Sequence, residues 1–140
     1  MLKVILDTNV LISSLIQRNY PYLIVNHCII ENSVNTCVSD KLIEEYFTVI
    51  NRPKFSKYPD FLNRAEFVLT QIIDQSLKFT PSSRVDILKD KNDNFLLELA
   101  SESQADYLIT GNTSDFSIDE FLNTKIINPK DFWELISDQK

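Results

Sequence analysis

The stretch that decides the fold is residues 3–13, which read KVILDTNVLIS. Lys3–Leu6 predicts a strand, because its nearly continuous apolar run of Val4, Ile5 and Leu6 is typical of a strand buried on both faces of a parallel sheet. Asp7 ends this run, and Val10–Ile16 then predicts a helix. The sequence therefore begins as a buried strand that ends at an acid and leads into a helix.

Strand and helix signals continue to alternate along the chain. Further strands are predicted at Asn35–Val38, Asp106–Thr110 and Lys125–Asn128, and further helices at Tyr22–Ile30, Asp40–Asn51, Pro59–Gln75, Asn92–Ser103 and Pro129–Ile136. Ser39 suits the N-cap of the helix that follows it. Val85–Leu88 is either a short strand or an extended link, and Ser114–Phe121 is a loop or a short helix. The alternation predicts an α/β fold with a parallel sheet, as one domain over residues 1–140.

The composition narrows the classes of function. The 140 residues include 44% hydrophobic and 24% charged residues, the range of soluble globular proteins, and carry a net charge of −6. That charge argues against a large basic platform for nucleic acid, but not against a nuclease whose bound cations reverse the charge locally. The single glycine, Gly111, excludes a GxGxxG dinucleotide turn and a Walker-type phosphate loop. Short apolar runs and the lack of a signal sequence lead us to expect a cytoplasmic protein without a membrane partner.

Cysteine and histidine are too few for a zinc site. Cys28 and Cys37 lie nine residues apart without CxxC spacing, and His27 is the one histidine of the chain. Zinc would need more nitrogen and sulfur ligands than these three side chains supply. We therefore predict two reduced core thiols, and we interpret His27 as a helix-face residue instead of a catalytic base.

Acidic residues gather at the predicted carboxyl ends of the strands, where ligands of open parallel sheets bind. The acids near this edge are Asp7, Glu44, Glu45, Asp90, Asp93 and Asp115. Two carboxylates 4 Å apart repel by roughly 4 kcal/mol at an effective dielectric near 20, so such a cluster favours a bound cation. Oxygen ligands without His or Cys favour magnesium or manganese, which activate water for phosphodiester hydrolysis.

Each acid also has a purely structural interpretation. Asp7 could cap the following helix, although an acid that ends a buried strand is more often functional. Spacing alone does not decide which of Glu44 and Glu45 faces the sheet edge. Asp90 and Asp93 have the spacing of an N-cap and an N3 acid, and Asp115 could be another N-cap. When each acid is judged by itself, only Asp7 favours a functional role over a structural one.

The ordered blocks resemble those of PIN-domain ribonucleases. The first block is VILDTNVLIS at 4–13, and the second is SDKLIEE at 39–45 followed by VINRPKF at 49–55. The third is DKNDNFL at 90–96, the fourth is ADYLITGN at 105–112 with Asp115 and Phe116, and the last is INP at 127–129. The second block is similar to a subgroup that comprises the toxin components of toxin–antitoxin pairs (VapC-like proteins). The resemblance covers nearly the whole chain.

This resemblance implies a PIN-like three-layer α/β/α sandwich with a mostly parallel central sheet. It also implies cleavage of single-stranded RNA with Mg²⁺ or Mn²⁺, a homodimer and a cognate antitoxin protein. Within the blocks, Glu45 and not Glu44 matches the family's second acid. Asp93 matches the acid that reaches the metal, with Asp90 as a supporting carboxylate.

The fourth block departs from the family pattern. Many members carry aspartate directly after the Thr-Gly pair, where this chain has Asn112. The resemblance therefore gives Asp7, Glu45, Asp93 and Asp115 as catalytic metal ligands. Thr8, Asn9 and Asn112 are expected to position ligands by hydrogen bonds, and Arg52 or Lys54 to contact the RNA backbone. For Arg52, a solvated helix end beside Pro53 is the structural alternative.

Two rival functions are considered. A phosphatase with Asp7 as nucleophile would need a second aspartate two residues later, where this chain has Asn9. A catalytically weak or inactive PIN-like module that binds or regulates would account for Asn112 and for the acidic net charge.

Overall fold

The computed structural model describes residues 1–88, 93–113 and 116–137. Within these residues the strands are β1 (Lys3–Leu6), β2 (Asn35–Val38), β3 (Leu77–Lys78), β4 (Tyr107–Ile109), β5 (Glu120–Phe121) and β6 (Thr124–Ile127). The α-helices are α1 (Thr8–Ile16), α2 (Tyr20–Asn26), α3 (Asp40–Ile50), α4 (Phe61–Gln75), α5 (Asn94–Ser103) and α6 (Pro129–Ser137). A π-helix at His27–Glu31 continues α2, and a short 3₁₀ helix follows α3 at Pro53–Phe55.

The strands form one sheet in the order β3-β2-β1-β4-β6-β5. β1 lies inside the sheet and pairs in parallel with both β2 and β4. All pairs are parallel except β5 with β6, which is antiparallel. The structure therefore confirms the predicted α/β class, a three-layer sandwich around a mostly parallel central sheet.

β1 is buried on both faces. Val4 and Ile5 are fully buried although successive side chains of a strand point to opposite faces of the sheet. Helices must therefore cover both faces, and each such buried aliphatic side chain stabilises the fold by about 1.5–3 kcal/mol. This double burial explains the continuous apolar run that precedes Asp7.

Both cysteines belong to this core, as predicted. Cys28 and Cys37 are free and buried. Burial raises the pKa of the Cys28 thiol to about 12 and that of Cys37 to about 11. Neither thiol is therefore ionised at neutral pH, as expected of structural cysteines.

Several predicted boundaries are wrong. α1 begins at Thr8, two residues before its predicted start, and the second helix begins at Tyr20. The sequence did not indicate β3, and it predicted loop or short helix where β5 lies. Both strands have only two residues, too few for an alternating pattern to show. Val85–Leu88 is an extended link and not a strand.

The start of α3 follows the prediction. Ser39 is its N-cap, and its hydroxyl accepts a hydrogen bond of 3.2 Å from the backbone N–H of Leu42. The helix ends at Ile50, before Pro53, because the residue preceding a proline is disfavoured in helical geometry. In the described part of the chain, no helix is both long and apolar enough to span a membrane.

Candidate active site

Asp7 lies where β1 meets α1 at the carboxyl edge of the sheet. The register pairs Leu6 with Ile109, so the residues that follow them, Asp7 and Thr110, lie side by side. The backbone N–H of Asp7 donates to the carbonyl of Ile109 at 3.0 Å. The Thr110 hydroxyl donates to Asp7 Oδ2 at 2.7 Å. The backbone N–H of Asn112 donates in turn to the Thr110 hydroxyl at 3.1 Å, which links this loop to the acid.

The carboxylate of Asp7 is held by a neighbouring strand as well as lying at the start of α1. Asp7 occupies the N-cap position of α1 without a capping hydrogen bond from its side chain. It is 7% exposed, and its hydrogen-bonding partner belongs to another strand. Capping of α1 alone therefore does not account for the hydrogen bond between Asp7 and Thr110.

Glu45 is the second acid at this edge. It lies on α3, and one of its carboxylate oxygens accepts a hydrogen bond from the Thr8 hydroxyl, next to Asp7 in the chain. Glu44, its neighbour on the helix, is exposed, whereas Glu45 is half-buried. The packing of α3 thus turns Glu45 and not Glu44 towards Asp7.

The surroundings of Asp7 shift the pKa of its carboxyl group. Burial raises the pKa of Asp7, the hydrogen bond from Thr110 opposes this rise, and the charge of Glu45 adds to it. The amides of Thr8 and Asn9, at the positive end of α1, favour the charged form. The net effect is a pKa above the ordinary value, so ionised Asp7 is held at a cost in free energy.

Tyr46 lies behind the pair of acids. It is 1% exposed, and its hydroxyl donates to the carbonyl of Leu6 at 2.5 Å. Burial, followed by the charges of Asp7 and Glu45, raises the pKa of Tyr46 well above its usual range. Tyr46 is therefore a neutral donor that connects α3 to the end of β1.

The donor set of this site suits a hard divalent cation. Asp7 and Glu45 supply carboxylate oxygens, and a cation between them would offset their repulsion. Within residues 1–88, 93–113 and 116–137, no three His, Cys, Asp or Glu side chains form a group that could hold a metal. Asp93 is half-buried immediately before α5, whereas Asp90 and Asp115 lie outside the described residues. The structure therefore brings together two of the four predicted carboxylates.

An open groove of about 680 Å³ runs beside this site along α3. Its lining comprises Asp40, Lys41, Glu44, Glu45, Thr48, Val49, Arg52 and Phe95. Glu45 and Arg52 thus share one surface, whereas the Lys54 ammonium lies over the ring of Phe55, 5.1 Å from its centroid.

The other residues predicted to contact substrate differ in exposure. Asn9 and Asn112 are exposed beside the acids. Thr8 is buried and is hydrogen bonded to Glu45. Of these three residues the two asparagines are accessible to a ligand, while Thr8 orients an acid.

His27 takes no part in this site. It is buried, hydrogen bonded to Ser33, and within 2.7 Å of a carboxylate oxygen of Glu31. Its ring lies edge-on to Trp133, with centroids 5.9 Å apart. These contacts join the π-helix to α6, in agreement with a structural role.

The comparison with family models decides the classification. The PIN domain model matches residues 3–114. The chain belongs to the PIN-domain family. The matched segment contains Asp7, Glu45 and Asp93 and ends one residue before Asp115. PIN domains are generally nucleases and usually employ divalent metal ions.

One curated relative is similar to this chain over most of its length. The uncharacterized protein MJ1680 of Methanocaldococcus jannaschii is 33% identical over 142 aligned positions. The alignment covers 95% of this PIN domain chain and 90% of the relative. No solved structure matches the chain significantly.

Two site residues were not predicted to have a role. Thr110 was named only as the end of a predicted strand, and Tyr46 lies within a predicted helix without a role of its own. A signal for Thr110 does exist, since a hydroxyl residue ends the strand that pairs with β1. This signal could be recognised only with knowledge that β1 pairs with β4, two strands that are distant in the sequence.

Proposed function

We propose that this PIN domain is a Mg²⁺- or Mn²⁺-dependent endoribonuclease that cleaves phosphodiesters of single-stranded RNA. The observation that carries the proposal is the pair Asp7 and Glu45, fixed by the hydroxyls of Thr110 and Thr8 beside an open groove. Two fixed, mutually repelling carboxylates at a sheet edge are a suitable site for a cation.

Asp7, Glu45, Asp93 and Asp115 would hold the metal in this proposal. The bound ion supplies activation of water and neutralises charge that develops on the phosphate. Thr110 and Thr8 restrict the rotation of the two acids, so the ligand oxygens are positioned before substrate binds. Asn9 and Asn112, exposed at the same edge, donate hydrogen bonds to water or phosphate. Arg52 binds the RNA backbone from the groove.

The biological setting is part of the same proposal. The subgroup resemblance of residues 39–55 supports a toxin of a toxin–antitoxin pair, with a homodimer, a cognate antitoxin protein and action in the cytoplasm. Expression of the chain without its neighbouring genes should arrest growth, and co-expression of an adjacent small reading frame should restore it. Growth that is unaffected by an active ribonuclease would contradict the toxin role while leaving the enzyme assignment in place.

The enzyme proposal is tested by cleavage of end-labelled single-stranded RNA. Wild-type protein should cleave the RNA in the presence of Mg²⁺ or Mn²⁺, and EDTA should stop this cleavage. Asp7→Asn and Glu45→Gln should each reduce cleavage by at least about 100-fold, the effect of losing a metal ligand. Glu44→Gln is the matched control for Glu45→Gln, since it removes the same charge from the preceding helix position. Equal activity of Glu44→Gln and Glu45→Gln would contradict the assignment of Glu45.

A second candidate function is a binding or regulatory module without turnover. Asn112 favours it, because many family members carry an acid at this position. The same assay separates the two functions. A wild-type protein that binds RNA but leaves it intact, with no effect of Asp7→Asn, would support the module.

A further inference from the structure

Two cations lie on opposite sides of Glu45 along α3. Lys41 precedes Glu45 by four residues, about 6 Å along the helix axis at 1.5 Å per residue. The helix ends at Ile50, about 8 Å beyond Glu45 on the other side, and Arg52 follows two residues later. Lys41, Glu45 and Arg52 line the same groove. A chain that lies in this groove and passes Glu45 therefore meets one cation before the acid and the other after it.

Both cations are accessible to a ligand. Lys41 and Arg52 are exposed, and neither forms an ion pair within the residues that the structure describes. The Lys41 ammonium lies 5.3 Å from the centroid of the ring of Phe95, which also lines the groove. The nearby acid Asp40 is instead paired with Lys78 at 2.6 Å. The negative charge of Asp40 is thus already offset by a partner that is not part of the lining.

The charge of the groove depends on the metal site. Its charged lining residues are the cations Lys41 and Arg52 and the acids Asp40, Glu44 and Glu45. Lys78 offsets Asp40, so the groove is close to neutral on its own. A divalent cation held by Asp7 and Glu45 would make the groove positive and favour a polyanion.

We propose that single-stranded RNA lies along α3, with Lys41 and Arg52 bound to different backbone phosphates on either side of the scissile phosphodiester at Glu45. This inference rests on the proposed function, because the scissile position is taken from the acids. It adds Lys41 as a substrate-binding residue and gives the path of the RNA strand across the site. The two contacts are to phosphate and are therefore independent of base sequence.

The test measures binding by fluorescence anisotropy of a labelled single-stranded RNA, with Ca²⁺ replacing Mg²⁺ to limit cleavage. Lys41→Gln and Arg52→Gln should each weaken binding about fivefold and lower the slope of log K against log salt by about 0.7. Lys125→Gln is the control, because Lys125 is an exposed lysine at the start of β6, at the opposite edge of the sheet. Its binding should equal that of the wild type.

A second measurement assigns each cation to a phosphate. RNAs with one neutral methylphosphonate at successive positions are bound to the wild type and to both variants. Lys41→Gln should no longer weaken binding when the methylphosphonate replaces one particular phosphate. Arg52→Gln should no longer weaken binding when it replaces a different phosphate, on the opposite side of the cleaved bond. The proposal would be overturned if both variants bound RNA as tightly as the wild type does. It would also be overturned if neutralising the same phosphate removed the effect of both substitutions.

The outcomes also separate this inference from the proposed function. If the variants weaken binding as expected but wild-type protein never cuts RNA, the two phosphate contacts hold, whereas the endoribonuclease assignment and the scissile position between the contacts fail. If wild-type protein cuts RNA and both variants bind and cut normally, the assignment holds and the strand path is wrong.

Discussion

The hydroxyl of Thr110, directly after β4, donates a hydrogen bond of 2.7 Å to the carboxylate of Asp7, directly after β1. Both residues are buried, with Thr110 fully inaccessible and Asp7 7% exposed. A hydrogen bond to a charged group contributes about 1.5–3 kcal/mol. It therefore offsets part of the cost of an ionised Asp7 beside Glu45, and it fixes the orientation of the carboxylate.

Thr110→Val should reduce the stability of the protein and shift its pH dependence. The substitution preserves shape but removes the donor, so the free energy of unfolding at neutral pH should fall by about 1.5–3 kcal/mol. The pKa of Asp7 should rise further, and the acidic limb of the activity profile should move to higher pH. Urea unfolding and a pH–rate profile measure the two effects.

Thr70→Val is the control for this change. The Thr70 hydroxyl is exposed on α4 and bonds only to the backbone carbonyl of Glu66, at 2.8 Å. Its substitution should change the unfolding free energy by no more than about 0.5 kcal/mol. An unaltered pH profile for Thr110→Val would show that Thr110 does not influence Asp7.

Asp7→Asn should stabilise the metal-free protein while removing activity. The pKa of Asp7 in the folded state is raised above 3.8, so the folded state binds this proton more tightly than the unfolded chain does. The corresponding stability is present below pH 3.8 and is lost as the pH rises through the folded pKa. Ionised Asp7 thus destabilises the metal-free fold at neutral pH. Asparagine should raise Tm there by about 2–5 °C, measured by thermal unfolding in EDTA.

The gain in Tm should shrink as the pH falls through the raised pKa of Asp7, because Asp7 then becomes neutral in the folded wild type. Asp74→Asn, an exposed position on α4, removes the same charge and should leave Tm within about 2 °C of the wild type. A lower Tm for Asp7→Asn in EDTA would indicate that the charged carboxylate stabilises the fold.

Divalent metal should stabilise the wild type through the same acids. At a Mg²⁺ concentration of about 100 times its Kd, the unfolding free energy should rise by about 2.7 kcal/mol. Asp7→Asn and Glu45→Gln should lose this gain. Because the metal competes with the proton on Asp7, its affinity should fall as the pH drops through the raised pKa. Isothermal titration at several pH values measures this dependence, and a pH-independent affinity would count against Asp7 as a ligand.

The sequence was sufficient to predict the strands that are buried inside the sheet. β1 and β2 were predicted with their observed bounds, β1 from an apolar run that ends at Asp7 and β2 from a short stretch that ends before Ser39 and Asp40. β3 and β5 were missed because each has two residues at the rim of the sheet, where neither burial nor alternation produces a pattern. The family model then confirmed the PIN assignment over residues 3–114.

The candidate site was less accessible to sequence reasoning. Asp7 could be selected because it ends a buried strand, but helical spacing alone left Glu44 and Glu45 undecided. The bond between Thr110 and Asp7 joins residues 103 positions apart and depends on the register of β1 with β4. The contact of Lys41 with Phe95 likewise depends on how α3 packs beside α5. Roles that arise from such packing have no local pattern in the sequence.

Tyr46→Phe should weaken the connection between the two elements that carry the acids. Tyr46 follows Glu45 on α3, and its hydroxyl donates to the carbonyl of Leu6, the residue before Asp7, at 2.5 Å. Phenylalanine keeps the buried ring but leaves this carbonyl without the donor. The free energy of unfolding should fall by about 1–2 kcal/mol, measured by urea denaturation.

The effect of Tyr46→Phe on catalysis should appear in kcat and not in KM. The lost bond alters the relative positions of Asp7 and Glu45, whereas the groove that binds RNA retains its lining, so kcat should fall up to about tenfold. Tyr20→Phe, which removes a hydroxyl from a side chain that is 37% exposed, should change neither quantity. A raised KM with unchanged kcat would mean that Tyr46 shapes the RNA-binding groove, since an intact metal site preserves turnover.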